Sequence, residues 1–175
     1  MASVSQQNSL APFKHSEFRL FIANRFFYTM ALRMVTTVVA YKLFQLTQSS
    51  FSIGLVGLSE FVPVFSLALY AGHVIDQSDK RTLLLKAILF YSLCVLLLYL
   101  VTMPAIEKQL STTLLELTFY ITIFFTGVIR SFAGPTNSAI ISQLVPRDIL
   151  QYAANINSTT YLSASILGHA SAGFL

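Results

Sequence analysis

Long apolar runs broken by short polar clusters dominate this chain. Five runs stand out: from near Phe18 to Phe44, from Phe51 to Ile75, from about Thr82 to Met103, from about Thr113 to Phe132, and from about Leu150 to Leu175. Thr47-Gln48-Ser49-Ser50 separates the first two and Asp76-Gln77-Ser78-Asp79-Lys80-Arg81 the next two, while Pro104 and Pro146-Arg147-Asp148 open the remaining connections. A helix crossing a bilayer needs about 20 mostly apolar residues, and each run meets that length. The runs are too long for barrel strands and lack their alternation of polar and apolar positions. The pattern therefore predicts an all-α integral membrane protein with five transmembrane helices. The connections leave no room for a further domain, so residues 18–175 read as one transmembrane helical domain. Residues 1–17 are polar without an apolar core, which makes them a lead-in and not a signal peptide.

Composition narrows the picture further. Of the 175 residues 55% are hydrophobic and only 10% charged, against about 25% charged in a soluble domain. So few charges cannot cover a water-facing surface, and so much apolar character excludes a disordered chain. The single cysteine, Cys94, excludes a disulfide framework, and no cysteine–histidine spacing suggests zinc. No metal or cofactor is expected, and no basic run with interleaved aromatics suggests nucleic acid. The net charge of +4 matters less than its placement. Lys14, Arg19, Lys80, Arg81, Lys86 and Arg147 fall at one set of helix ends, and Lys42 and Lys108 at the other. That bias predicts a cytoplasmic amino terminus.

Charges inside spans are costly and face a bundle interior or a cavity. Arg25, near one end of the first span, is close enough to snorkel. Arg33 and Glu60 both count to about 13–15 Å below the outer surface at 1.5 Å per residue, and their spans are sequence neighbours, so the two charges are expected to meet. Burial and a guanidinium act oppositely on a carboxylate, which leaves such a group poised as a proton carrier. A static ion pair between two helices explains the same residues. Pro63, one turn beyond Glu60, is expected to loosen the backbone there. Arg130 lies deep in the fourth span, followed by Ser131, Gly134 and Pro135, which leave room for a large cation and invite a kink. In the fifth span Ala164, Gly168 and Ala172 recur every four residues and form a flat packing face, with His169 beside it.

Asp76 is expected at the carboxyl end of a helix, where the dipole disfavours an anion, so another group should hold it. Around it, Gly72, Asp76, Lys80 and Arg81 stand at the positions of a known loop signature: glycine, three residues, aspartate, a basic residue, any residue, glycine, two basic residues. The segment resembles the signature of the major facilitator superfamily, with Gln77 and Asp79 replacing its first basic residue and second glycine. Arg130 with Gly134 resembles the fourth-helix signature of that family. Gly168 through Gly173 resembles its fifth-helix antiporter signature, with His169 where proline is usual. Gly134-Pro135, Leu144-Val145-Pro146-Arg147 and Ala154-Asn155-Ile156-Asn157 are similar to the branch that exports siderophores and macrolides.

The resemblance implies twelve helices in two halves, with five helices of the first half supplied here. It implies a bacterial inner-membrane exporter of small amphipathic molecules, driven by protons and working by alternating access. Glu60 and Arg33 serve proton coupling and the substrate pathway on the depth argument above, and Arg130 joins them in the resemblance. Gly72, Asp76, Lys80 and Arg81 form a cytoplasmic latch against the second half. Gly134, Gly168 and Gly173 allow close helix packing. The abrupt stop at Gly173-Phe174-Leu175 reads as a fragment of a longer carrier. Two rival readings are a remnant without transport of its own and a membrane-embedded enzyme using Asp76 and Asp79 with His73.

Overall fold

The computed structural model describes residues 10–174, so most of the expected lead-in, residues 1–9, and Leu175 lie outside the described residues. Among the described residues all regular structure is helical. Five long helices occupy the five apolar runs: α1 Ser16–Thr47, α2 Ser50–Gln77, α3 Lys80–Val101, α4 Thr112–Leu144 and α5 Leu150–Ala172. A 3-10 turn, Ala11–Lys14, precedes α1, a single helical turn, Pro104–Glu107, follows α3, and a 3-10 turn, Arg147–Ile149, leads into α5.

The element ends follow local chemistry. Between α1 and α2 the backbone reverses at Gln48, whose φ of 51° is left-handed. Such a conformation costs a side-chain-bearing residue about 1–2 kcal/mol. Thr47 supports the turn, donating its hydroxyl to the Leu43 carbonyl (2.9 Å) and accepting from the Ser49 amide (3.2 Å). Extended Ser78 ends α2, and Asp79 caps α3 by accepting from the Thr82 amide at 2.9 Å. That cap satisfies one of the otherwise unpaired amides of a helix start.

One sequence expectation needs correction. The fourth helix does not end near Phe132 but runs 33 residues to Leu144, with Pro135 inside it. Proline inside a membrane helix is tolerated where hydroxyl side chains and neighbours satisfy the disturbed backbone. The hydroxyls of Ser131 and Thr136 donate to the Val128 and Phe132 carbonyls, each at 2.7 Å, while the carbonyl that Pro135 leaves without an amide is that of Ser131. At about 50 Å, α4 exceeds the roughly 30 Å of a bilayer core. Among the described residues three helices, α2, α3 and α4, are long and apolar enough to cross a membrane. The other two long helices are more polar: α1 carries Glu17, Arg19, Arg25, Arg33 and Lys42, and α5 is rich in asparagine, serine and threonine.

The chain divides into two compact units, Val35–Thr136 and Met1–Met34 with Asn137–Leu175. In the first, Val39 and Leu43 of α1, Val56 of α2, Leu98 of α3 and Leu115, Phe119 and Ile123 of α4 form one core cluster. Lys42 closes that end on Glu107 at 2.8 Å; a partly exposed pair of this kind contributes about 0–1 kcal/mol. In the second unit Phe18, Phe21 and Ile22 of α1 pack with Ile141 and Val145 of α4 and Ala153 of α5.

Large apolar side chains also cover the outside. On α2, Phe61, Phe65 and Leu69 form a stripe at four-residue spacing and are 58%, 72% and 92% exposed. Contiguous apolar surface of this kind has no stable place in water and is ordinary against lipid.

The Asp79 cap makes a pH-dependent expectation. Hydrogen bonds from Thr82, side chain first and then backbone, hold the Asp79 carboxyl below the ordinary carboxylate range, with Arg81 adding to the effect. A depressed pKa stabilises the fold above the unfolded value, and that contribution is lost as pH falls through the folded value. Amide exchange at Thr82, measured as protection relative to an unstructured amide at the same pH, should therefore be slow at neutral pH and lose that protection below the ordinary carboxylate range. Asp79→Ala should be fast throughout, while Asp79→Asn should stay slow and lose the pH dependence.

Candidate functional site

Glu60 lies in the interior of α2 and Arg130 in the interior of α4, and their side chains form an ion pair. Both are mostly buried, with Glu60 15% and Arg130 26% exposed. The backbone makes this meeting possible. Gly127, one turn before Arg130, sits so close to α2 that an added Cβ would stand 2.6 Å from the Glu60 carbonyl oxygen and 2.6 Å from Pro63 Cγ. Nothing larger than glycine fits that approach. Further along the same seam the Tyr120 hydroxyl reaches the Ser52 carbonyl at 3.5 Å. Residue 52 meets 120 and residues 60 and 63 meet 127, so the two helices run in the same direction.

Pro63 is fully buried and α2 continues through it to Gln77 without a break. Its part is to form the surface on which Gly127 rests, where loosening of the backbone was expected. The guanidinium that meets Glu60 is Arg130, whereas depth counting along the sequence pointed to Arg33.

Arg33 belongs to the other unit and donates to the hydroxyl of Tyr161 on α5. Its guanidinium also lies over that ring, 5.6 Å from the centroid, and Arg25 lies 5.4 Å from the same centroid. Arg25 and Arg33 are eight residues apart, about 12 Å along α1, and the tyrosine takes both. Such cation–π contacts are worth about 0.5–2 kcal/mol, more where water is excluded. Gly168 brings α1 and α5 together: an added Cβ would stand 2.6 Å from the Met30 carbonyl oxygen and 2.7 Å from Arg33 Cβ. Ala164, Gly168 and Ala172 are all buried on this face.

The remaining candidates are spread out. Asp76 is in the last turn of α2 and exposed, and among the described residues it has no ion-pair or hydrogen-bonding partner. Lys80 and Arg81 open α3, and Gly72 has nothing within 4 Å of where a Cβ would stand. Gly134 is equally open, whereas Gly173 caps α5 with the Ala170 carbonyl 3.3 Å from an added Cβ. A groove of about 690 Å³ between α3 and α4 is lined by Phe90, Leu93, Cys94, Phe125 and Phe132, with Lys86 at one end. Its walls carry almost no polar group, which suits an acyl chain and offers no acid–base chemistry.

Sequence reasoning passed over two residues that organise these contacts. Gly127 carries no motif and shows itself only by standing one turn from Arg130. Tyr161 stands one turn before Ala164, in register with the small-residue face, and is the one large polar ring on it.

The two glycine environments make opposite expectations for alanine. Gly127→Ala should lower stability by about 1–3 kcal/mol, as overpacking does. Gly134→Ala should be neutral or stabilising by up to about 1 kcal/mol, because alanine favours helix. Thermal unfolding in detergent separates the two.

Comparison with known proteins adds one match. The sequence model described as transmembrane secretion effector, of the major facilitator type, matches residues 7–175. No curated protein and no solved structure matches this chain. Apolar helices long enough for a bilayer, charges paired between helix interiors and a match over nearly the whole length agree: the chain belongs to the transmembrane secretion effector family of major facilitator-type membrane transporters.

Proposed function

We propose that this protein takes part in proton-coupled export of small amphipathic molecules by alternating access. The Glu60–Arg130 pair carries the reading. A carboxylate and a guanidinium this far from water each cost several kcal/mol to bury and stay there by holding each other. A proton delivered to Glu60 cancels one charge and frees Arg130 to take another anion. Protonation is thereby converted into a change of helix–helix contact across the α2–α4 seam. Chemistry of this kind links a proton to a conformational step.

The exposed carboxylate of Asp76, with Lys80 and Arg81 a few residues on, supplies the second part. A carboxylate at a helix carboxyl end is disfavoured by the dipole. It gains from a cation or a helix amino terminus brought up by the other half of a carrier. We assign this loop as the cytoplasmic latch, with Gly72 giving α2 an unobstructed surface there. In this reading α1 and α5 cross the bilayer with the other three helices, and the amino terminus is cytoplasmic. The membrane is the bacterial inner membrane.

Reconstitution in proteoliposomes with an imposed pH gradient tests both assignments. Glu60→Gln should reduce gradient-driven efflux of an amphipathic dye to the passive leak while the protein keeps its elution volume and helical content. Dye efflux equal to wild type in that variant removes Glu60 from the mechanism and leaves the pair as a structural strut. Asp76→Asn should slow turnover and leave the half-saturating dye concentration unchanged. Wild-type turnover there removes the latch.

A further inference from the structure

We propose that Arg25, Asn157 and Tyr161 form a binding site for a small organic acid that also carries a hydroxyl or amino group. The inference rests on the transporter reading for its purpose and on the geometry of α1 and α5 for its location. Among the described residues Arg25 Nε and Asn157 Oδ1 are both buried without a hydrogen-bonding partner. One is a donor with a positive charge and the other an acceptor. Leaving a buried polar atom unpaired is costly, more so where charge is involved. Both flank the same residue: Arg25 lies 5.4 Å from the Tyr161 ring centroid, and Asn157 precedes Tyr161 by one turn on the same helix face.

The charge balance of this unit points to an anion. Its acidic residues are Glu17, next to the start of α1, and Asp148, in the turn before α5. Neither lies in the helical stretch that holds Arg25, Asn157 and Tyr161. A carboxylate is therefore the complement that the stretch itself does not contain, and a guanidinium edge binds one through two parallel hydrogen bonds. Asn157 Oδ1 asks the ligand for a donor, so a bare carboxylate satisfies only half of the site. Arg25 is nine residues into α1, about 13 Å along the helix.

Three probes that differ by one group each test the site: mandelate, phenylacetate, which lacks the hydroxyl, and mandelamide, which lacks the charge. Binding is followed in nanodiscs of zwitterionic lipid through the six arginine Nε–H resonances. Mandelate should move the Arg25 resonance saturably. Mandelamide should bind about tenfold more weakly or worse, as loss of a charge-assisted hydrogen bond requires. Arg25→Gln should abolish the difference between mandelate and mandelamide. Asn157→Ala, a milder change, should bring mandelate down to phenylacetate and leave phenylacetate unchanged. Equal binding of mandelate and mandelamide, or mandelate binding unaffected by both substitutions, overturns the proposal. So does movement of the Arg25 resonance on adding phosphatidylglycerol alone, which would make a lipid headgroup the occupant. Glu60→Gln should bind mandelate as wild type does. Binding that persists when transport fails then separates this site from the coupling reading, and loss of binding with dye efflux intact overturns this site alone.

Discussion

Charge without water is the constraint on which this structure turns. Inside a bilayer a cation or carboxylate finds no solvent, so each one must be met by a partner brought up on another helix. Glu60 and Arg130 meet this requirement within one compact unit. In the other unit Arg33 pairs with Tyr161, with Arg25 on the same ring. The pairs fix which helices must be neighbours, and the apolar cores then fill the space that remains.

The two units solve the problem in the same way. Each has a pair of helices, non-adjacent in the chain, brought backbone to backbone by a glycine: α2 and α4 at Gly127, α1 and α5 at Gly168. Each carries its arginine contact within about one or two turns of that glycine. Close approach shortens the distance a side chain must span, so an arginine can reach its partner across the seam. With no hydrophobic drive between helices in lipid, small-residue contacts and interhelical polar bonds supply the specificity.

Much of this was legible in the sequence, and the failures have physical causes. The five helices could be read because apolar runs and polar breaks are local signals, and their ends came within a few residues of the observed ones except in α4. There Pro135 read as a kink just beyond an expected end near Phe132, and the helix runs through it to Leu144. The buried face of α5 followed from the four-residue spacing of Ala164, Gly168 and Ala172. The charges in helix interiors were located, but the partner of Glu60 was not. Depth counting fixes height along a helix axis and says nothing about which way a helix face turns. Arg130 became visible as the partner only through Gly127, whose role is an absence of side chain and carries no spacing signal.

Gly127 has a consequence at the level of the gene. Every single-base change that replaces a glycine without ending the chain inserts a residue bearing a Cβ, and here that atom would stand 2.6 Å from the Glu60 carbonyl oxygen. Position 127 thus has no tolerated replacement in one step. Gly134, seven residues on and with nothing within 4 Å of an added Cβ, has several. Two glycines two turns apart on one helix are therefore expected to drift at very different rates. Position 127 would record the geometry of the α2–α4 seam long after the residues around it have changed.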